Sequence, residues 1–172
     1  MANATAEAGT AIEQAVKDAA AGKPSNVKVV PFESLMSFLP DMPGWTKGEP
    51  RGETDSAMGI NVSRVQVDYD KGESTMSFEI MDSSMNPAIL TPFTMAAKAG
   101  LEERTAVGYT KGTMVAGYPA VEEWTPEARN GSVGLLVGGR YLLKVTGSTV
   151  PDVETIRRAA QAVDLKKLAA LK

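Results

Sequence analysis

Strict alternation of apolar and polar side chains constrains this chain more than any other feature of its sequence. Residues 65–69 alternate in this way, and residues 76–80 do so again beyond the turn-forming Lys71-Gly72-Glu73. A period of two with one apolar face is typical of a half-buried antiparallel sheet. The two stretches therefore predict a β-hairpin. Its expected inward-facing side chains are Val65, Val67, Tyr69, Met76, Phe78 and Ile80.

A longer antiparallel meander is predicted over residues 104–147. Residues 133–137 and 141–145 are apolar at nearly every position, which indicates central strands covered on both faces. Gly138-Gly139 between them is a hairpin signal. Cap and proline positions predict one helix from about 87 or 92 to 99 and another over 151–163, with Asp152 at its start and Asp164 capping a last short turn. We therefore expect an α+β fold, with one antiparallel sheet of about six or seven strands packed by the 87–99 and 151–163 helices.

The N-terminal residues differ from the rest of the chain. Residues 1–26 are rich in alanine, lack aromatic residues and end in the helix-breaking Gly22-Lys23-Pro24. This composition predicts a flexible spacer over 1–26, followed by a single α+β domain over 27–172. The spacer is interpreted as that of an exported protein whose signal was removed before residue 1. The alternative is an ordinary extension of a cytoplasmic protein.

The absence of two residue types limits the catalytic and metal-binding chemistry that the chain can carry out. The 172-residue chain has no cysteine and no histidine, so thiol catalysis, cysteine-ligated metals and histidine-based triads are excluded. Its net charge of -3 argues against nucleic acid as a partner. No apolar run is long enough to span a bilayer. We expect a protein that is not an enzyme and that uses no cofactor and no metal.

Three motifs could carry chemistry but have simpler interpretations. Glu122-Glu123 are neighbours on a predicted strand, so they point to opposite faces and are interpreted as solvated surface. Asp68, Asp70 and Glu79 have the spacing of calcium ligands, but the required glycine is displaced and a hairpin is favoured. The methionine cluster at positions 76, 81 and 85 could bind copper(I), but core packing is favoured.

Four aromatic residues are the candidate ligand-binding residues. They lie near the ends of predicted strands, where their rings could line a groove. The alternative is that they are core rings with one polar tip in water. The four residues are Trp45, Tyr109, Tyr118 and Trp124.

Two segments carry a resemblance to known families. Phe32-x-x-Leu35-x-x-Phe38-Leu39-Pro40 with Gly44-Trp45, and Leu135-Leu136-Val137-Gly138-Gly139-Arg140-Tyr141 with the later Val163-Asp164-Leu165, resemble uncharacterised bacterial exported proteins and lipoproteins. The resemblance covers about residues 30–171. The order of elements also looks like the PsbP/Mog1-type α/β sandwich. These positions are core and turn positions, so the resemblance implies a fold and supplies no catalytic residue.

The sequence thus predicts a non-enzymatic binding or accessory module of the bacterial cell envelope. Its location would be periplasmic, or extracytoplasmic and tethered to a membrane through an N-terminal segment, with a cytoplasmic location as the alternative. The partner would be an unknown protein or a small apolar ligand. The alternative function is a carrier of small molecules or lipids, with a pocket between sheet and helices.

Overall fold

The computed structural model describes residues 28–57, 60–84, 86, 90–91, 93–95 and 100–172. Within these residues, nine antiparallel strands form one sheet in the order β1-β3-β4-β9-β8-β7-β6-β5, and β2 pairs with β3 on the same side as β1. The strands are β1 (Thr46–Lys47), β2 (Arg51–Ala57), β3 (Ile60–Lys71), β4 (Ser74–Asp82), β5 (Glu102–Arg104), β6 (Tyr109–Val115), β7 (Tyr118–Thr125), β8 (Asn130–Val137) and β9 (Tyr141–Ser148).

Both predicted hairpins are confirmed. Val67 lies opposite Phe78 in the β3–β4 pair, which keeps the alternating apolar side chains on one face. Strands β8 and β9 are joined through Gly138 and Gly139, whose φ angles of 60° and 70° suit the tight turn that such hairpins favour. Strand β9 then pairs with β4, so the two hairpins share one continuous sheet.

Three helices cover the inward face of the sheet. They are α1 (Phe32–Met36), α2 (Val153–Gln161) and α3 (Leu165–Ala170). Asp152 and Asp164 cap α2 and α3 by accepting from the N–H groups of Thr155 and Lys167, as the sequence predicts for both helix starts. The core beneath them includes the fully buried Phe78.

The other face of the sheet is mostly polar, with a smaller apolar cluster. Leu90, Leu136 and Leu142 form its buried part. Residues 90, 91 and 93–95 are helical, and Phe93 fits against β8 because Gly134 has no side chain there. The remainder of the helix expected up to 99 includes residues that lie outside the described part of the chain.

The expectation of an α+β fold is wrong. Among the described residues the structure is mostly β, with nine strands rather than six or seven, and the helices there are few and short. It therefore does not support a PsbP/Mog1-like sandwich of sheet and helices. The sequence does not reveal the additional strands β1, β2 and β5, which lie at the edges of the sheet. They are largely exposed and therefore lack the apolar alternation that identifies a strand in a sequence.

Three further expectations from the sequence also fail: a short strand at Val29 and Val30, a strand that includes Val107, and a turn at Gly112. Residues 28–30 do not form a strand, because the N–H of Val30 donates to the side chain of Asp82 instead of to a neighbouring strand. Val107 lies in the turn before β6, and Gly112 lies inside β6 rather than in a turn. The predicted spacer over 1–26 falls outside the described residues. Among the described residues, no helix is long and apolar enough to cross a membrane.

Candidate functional site

The structure brings two of the four predicted aromatic residues together. Tyr109 of β6 lies directly opposite Trp124 of β7. Tyr118 is at the other end of β7, where its hydroxyl donates to the carbonyl of Leu165 at 3.3 Å. Trp45 precedes β1 at the opposite side of the sheet, with the ammonium of Lys71 5.8 Å from its ring. The four residues therefore do not line one groove.

A buried ionic cluster adjoins the Tyr109–Trp124 pair. Its centre is Glu122 of β7, whose side chain is 0% exposed. The Tyr109 hydroxyl donates to Glu122 Oε1 at 2.7 Å, and Arg157 Nε of α2 donates to Oε2 at 2.5 Å. Lys111 Nζ lies 3.3 Å from Oε1. We call these four residues the Glu122 cluster, and it connects α2 to the inward face of β6 and β7.

The Glu122 cluster holds its carboxylate ionised. Burial by itself would raise the pKa of Glu122, but the hydrogen bonds from Arg157 and Tyr109, with the charges of Arg157 and Lys111, outweigh it and lower the pKa. Burial, together with the bond to this carboxylate, raises the pKa of Tyr109 to about 12. A carboxylate with its acceptor sites occupied by three donors is suited to fastening a helix rather than to moving protons.

The interpretation of Glu122-Glu123 as solvated surface is wrong for one of the two residues. Glu123 is exposed, whereas Glu122 is fully buried. The two side chains do point to opposite faces, as strand geometry requires. A signal was present in the sequence, because Glu122 is in phase with Ala120, which also faces inward on β7. An acidic residue at an inward position predicts a buried partner of opposite charge.

A second buried ion pair lies at the far end of β4. Asp82 is 0% exposed and receives Arg140 Nε at 2.9 Å and Nη2 at 2.7 Å. The same carboxylate accepts from the N–H groups of Val30 and Ser84. Arg140 also donates to the carbonyl of Lys28 at 2.8 Å. This pair is structural, since it joins the segment before α1 to the sheet and leaves no acceptor aimed at solvent.

An open cleft of about 310 Å³ lies at the β5–β6 turn. Tyr109 is among its lining residues, so the cleft and the Glu122 cluster share this residue. Arg104 stands at its rim and bonds through Nε to Glu102 Oε1 at 2.7 Å. The remaining lining residues are Thr105, Ala106, Val107, Gly108, Pro126 and Glu127.

Several exposed apolar side chains lie along the β5–β6 edge of the sheet. The large apolar side chains that are exposed among the described residues are Met95 (64%), Leu101 (42%), Val107 (62%) and Met114 (58%). The N–H of Gly112 donates to the carbonyl of Leu101 at 2.7 Å, which places Leu101 beside β6 on the face that Met114 also occupies. We call Leu101, Val107 and Met114 the β5–β6 surface.

The described residues do not assemble a metal site. No group of three or more acidic, histidine or cysteine side chains among them could hold an ion. The hairpin interpretation of residues 68–79 is confirmed, since Asp68 lies opposite Ser77 in the β3–β4 pair. Met76 faces the core whereas Met81 packs on the other face of the sheet, so these two cannot bind one ion together. Met85 lies outside the described residues.

Comparison of the chain with protein-family models, with curated proteins and with solved structures gives no match.

Proposed function

We propose that this protein is a non-enzymatic binding module that contacts a protein partner through the β5–β6 surface. One observation carries the proposal: the exposed large apolar side chains of the described residues all fall between positions 95 and 114. Three of them, Leu101, Val107 and Met114, extend along the β5–β6 edge, and apolar surface exposed along one edge of a sheet is suited to an interaction site. The neighbouring cleft adds Arg104 and Tyr109, which are residue types enriched at protein interfaces.

Packing favours this function over a carrier. A carrier needs an enclosed apolar cavity, and the sequence-based expectation is a pocket between the sheet and the helices. At that place lie Phe78, Leu143 and Ile156, each of them 0% exposed. The cleft at the β5–β6 turn is open to solvent and has charged residues at its rim.

The cell-envelope setting of the proposal rests on the composition of residues 1–26, which lie outside the described residues. It is independent of the β5–β6 surface, and a binding module of this kind would work in either compartment.

The proposed function can be tested by photo-crosslinking in the host cell. A photoreactive amino acid at position 107 or 114 should give a discrete adduct with the partner. The control position is Thr75, which is exposed on β4 away from this surface. Leu101→Lys should abolish the adducts without lowering the melting temperature, since Leu101 is 42% exposed. Equal labelling from position 75, or no adduct from either test position, would contradict the proposal.

A further inference from the structure

The edge of the sheet opposite β5 is a long strand. Strands β1 and β2 both pair with β3, and residues 48–50 form a bulge between them because they oppose only Val67 and Asp68. β2 pairs over its seven residues, Arg51–Ala57, with β3 alone among the described residues. Its outer side therefore presents a row of backbone N–H and C=O groups, which is a template for pairing with another strand.

The charges on β2 follow a pattern along one face. Arg51, Glu53 and Asp55 are exposed and share one face, while Gly52 and Thr54 lie on the other face, where Gly52 is half-buried and Thr54 is exposed. Glu53 is bound by Arg64, its directly opposite neighbour on β3. Within the described part of the chain, neither Arg51 nor Asp55 forms an ion pair. One positive and one negative charge thus stand equally far from Glu53 outside any ion pair of the described residues, and Asp55 also lies within the electrostatic field of Arg64.

We propose that β2 pairs antiparallel with β2 of a second copy of this chain, around a two-fold axis at Glu53. An interface of this kind is self-complementary, so each contact occurs twice. Residues at equal distances from the axis then lie opposite each other. Arg51 of each copy faces Asp55 of the other, and the two Glu53 side chains at the centre each keep their own Arg64.

Charge and the length of the paired segment favour this register over its neighbours. An axis at Gly52 would leave only residues 51–53 of β2 facing each other, whereas an axis at Glu53 leaves residues 51–55. An axis at Thr54 would put Glu53 opposite Asp55, and like charges directly opposite each other are unfavourable. The axis at Glu53 pairs Arg51 with Asp55 twice, and its one like-charge contact lies between the two Glu53 side chains, each of which is bound to its own Arg64.

The β5 edge is a poorer candidate for the same pairing. It has three residues, Glu102–Arg104, against seven in β2. Its one basic residue, Arg104, already forms an ion pair with Glu102 of the same strand. Pairing through β2 also leaves the β5–β6 surface free at the far side of each copy, so the inference does not depend on the proposed function.

Charge reversal tests the pairing and its register. Sedimentation velocity over a concentration series should show a reversible monomer–dimer equilibrium, since a single strand pair buries less surface than a standard interface. Arg51→Asp alone and Asp55→Arg alone should each weaken the dimer by about tenfold or more, because each creates two like-charge pairs. The double variant R51D/D55R should restore it. A wild-type chain that stays monomeric at every concentration, or single variants that dimerise as strongly as the wild type, would overturn the proposal.

Cysteine cross-linking provides a second, independent readout. The chain has no cysteine, so a single introduced thiol reports only its own position. Glu53→Cys should form a disulfide-linked dimer on mild oxidation, because directly opposite residues of antiparallel strands are within disulfide range. The matched control, Glu103→Cys, occupies the middle of the exposed β5 edge and should stay monomeric. Cross-linking at position 103 instead of 53 would show that the copies pair through the other edge.

Discussion

At the scale of single residues, Glu122 is the side chain whose surroundings differ most from those expected of its type. It is a fully buried acid that binds a helix residue, Arg157, and two residues of β6. Removing one partner of a buried pair leaves the other uncompensated. We expect Glu122→Ala to lower the free energy of unfolding by about 3–5 kcal/mol. Glu123→Ala, at the exposed neighbouring position, removes one hydrogen bond from Ser132 Oγ and should change it by about 1 kcal/mol or less. Urea denaturation of both variants is the measurement, and equal effects would contradict the assigned burial.

The same residue makes stability depend on pH in a defined direction. The pKa of Glu122 is lowered in the folded protein. Its contribution to stability is therefore complete above the unfolded-state pKa of about 4.3 and is lost as the pH falls through the folded-state value. We expect the difference in unfolding free energy between the wild type and Glu122→Gln to shrink as the pH is lowered from neutral. Other acidic groups cancel in this difference. A difference that stays constant with pH would show that Glu122 is not held ionised by the cluster.

Two adjacent residues on β4 test the register of the sheet. Phe78 is 0% exposed and lies edge-on to Tyr69, with 5.0 Å between ring centroids. Glu79 points to the opposite face. We expect Phe78→Ala to cost about 3–5 kcal/mol of unfolding free energy. Glu79→Ala should cost about 0.5 kcal/mol or less. Thermal and urea unfolding would measure both, and a reversed order would mean a register shifted by one residue.

At the scale of elements, the sequence predicts the strands whose apolar and polar side chains alternate and the helices that begin with a capping residue. The β3–β4 and β8–β9 hairpins, and the starts of α2 and α3, follow from alternation, from paired glycines and from aspartate caps. The strand β2 gives no such signal. Its inward-facing Gly52 fits beneath Phe32 of α1, a contact between residues far apart in sequence that no local pattern encodes. The three exposed residues of β5 likewise show no pattern that predicts a strand.

The start of α2 provides a test at this scale. Asp152 Oδ1 accepts from the N–H of Thr155 at 2.7 Å and so satisfies one of the free donors of the first turn. We expect Asp152→Ala to lower the free energy of unfolding by about 1 kcal/mol. Asp152→Ser keeps a capping oxygen and should recover most of that loss. Circular dichroism during urea unfolding would compare the two variants, and an equal loss in both would exclude the cap as the cause.

At the scale of the whole molecule, the pairing of β4 with β9 determines the architecture. Residues 75–82 meet residues 141–148, and the chain between them forms β5 to β8 on one side. The sequence predicts both partners as strands, but not that they are neighbours, because the pairing energy comes from contacts distant along the chain. The same topology places the β2 edge and the β5–β6 surface at opposite sides of the sheet. A dimer through β2 would therefore present two β5–β6 surfaces, which allows bivalent binding.

Amide hydrogen exchange should reveal this arrangement across the whole chain. Strands β4, β9 and β8 are paired on both sides, whereas β5 lies at an edge and all three of its residues are exposed. Opening free energies range from near zero at frayed edges to the global value in a core. We expect the slowest exchange in β4, β9 and β8 and the fastest in β5, and peptide-level mass spectrometry would rank them.

Raising the protein concentration should slow exchange in residues 51–57 alone if copies pair through β2. Slowing confined to residues 102–104 would instead place the contact between copies at the β5 edge.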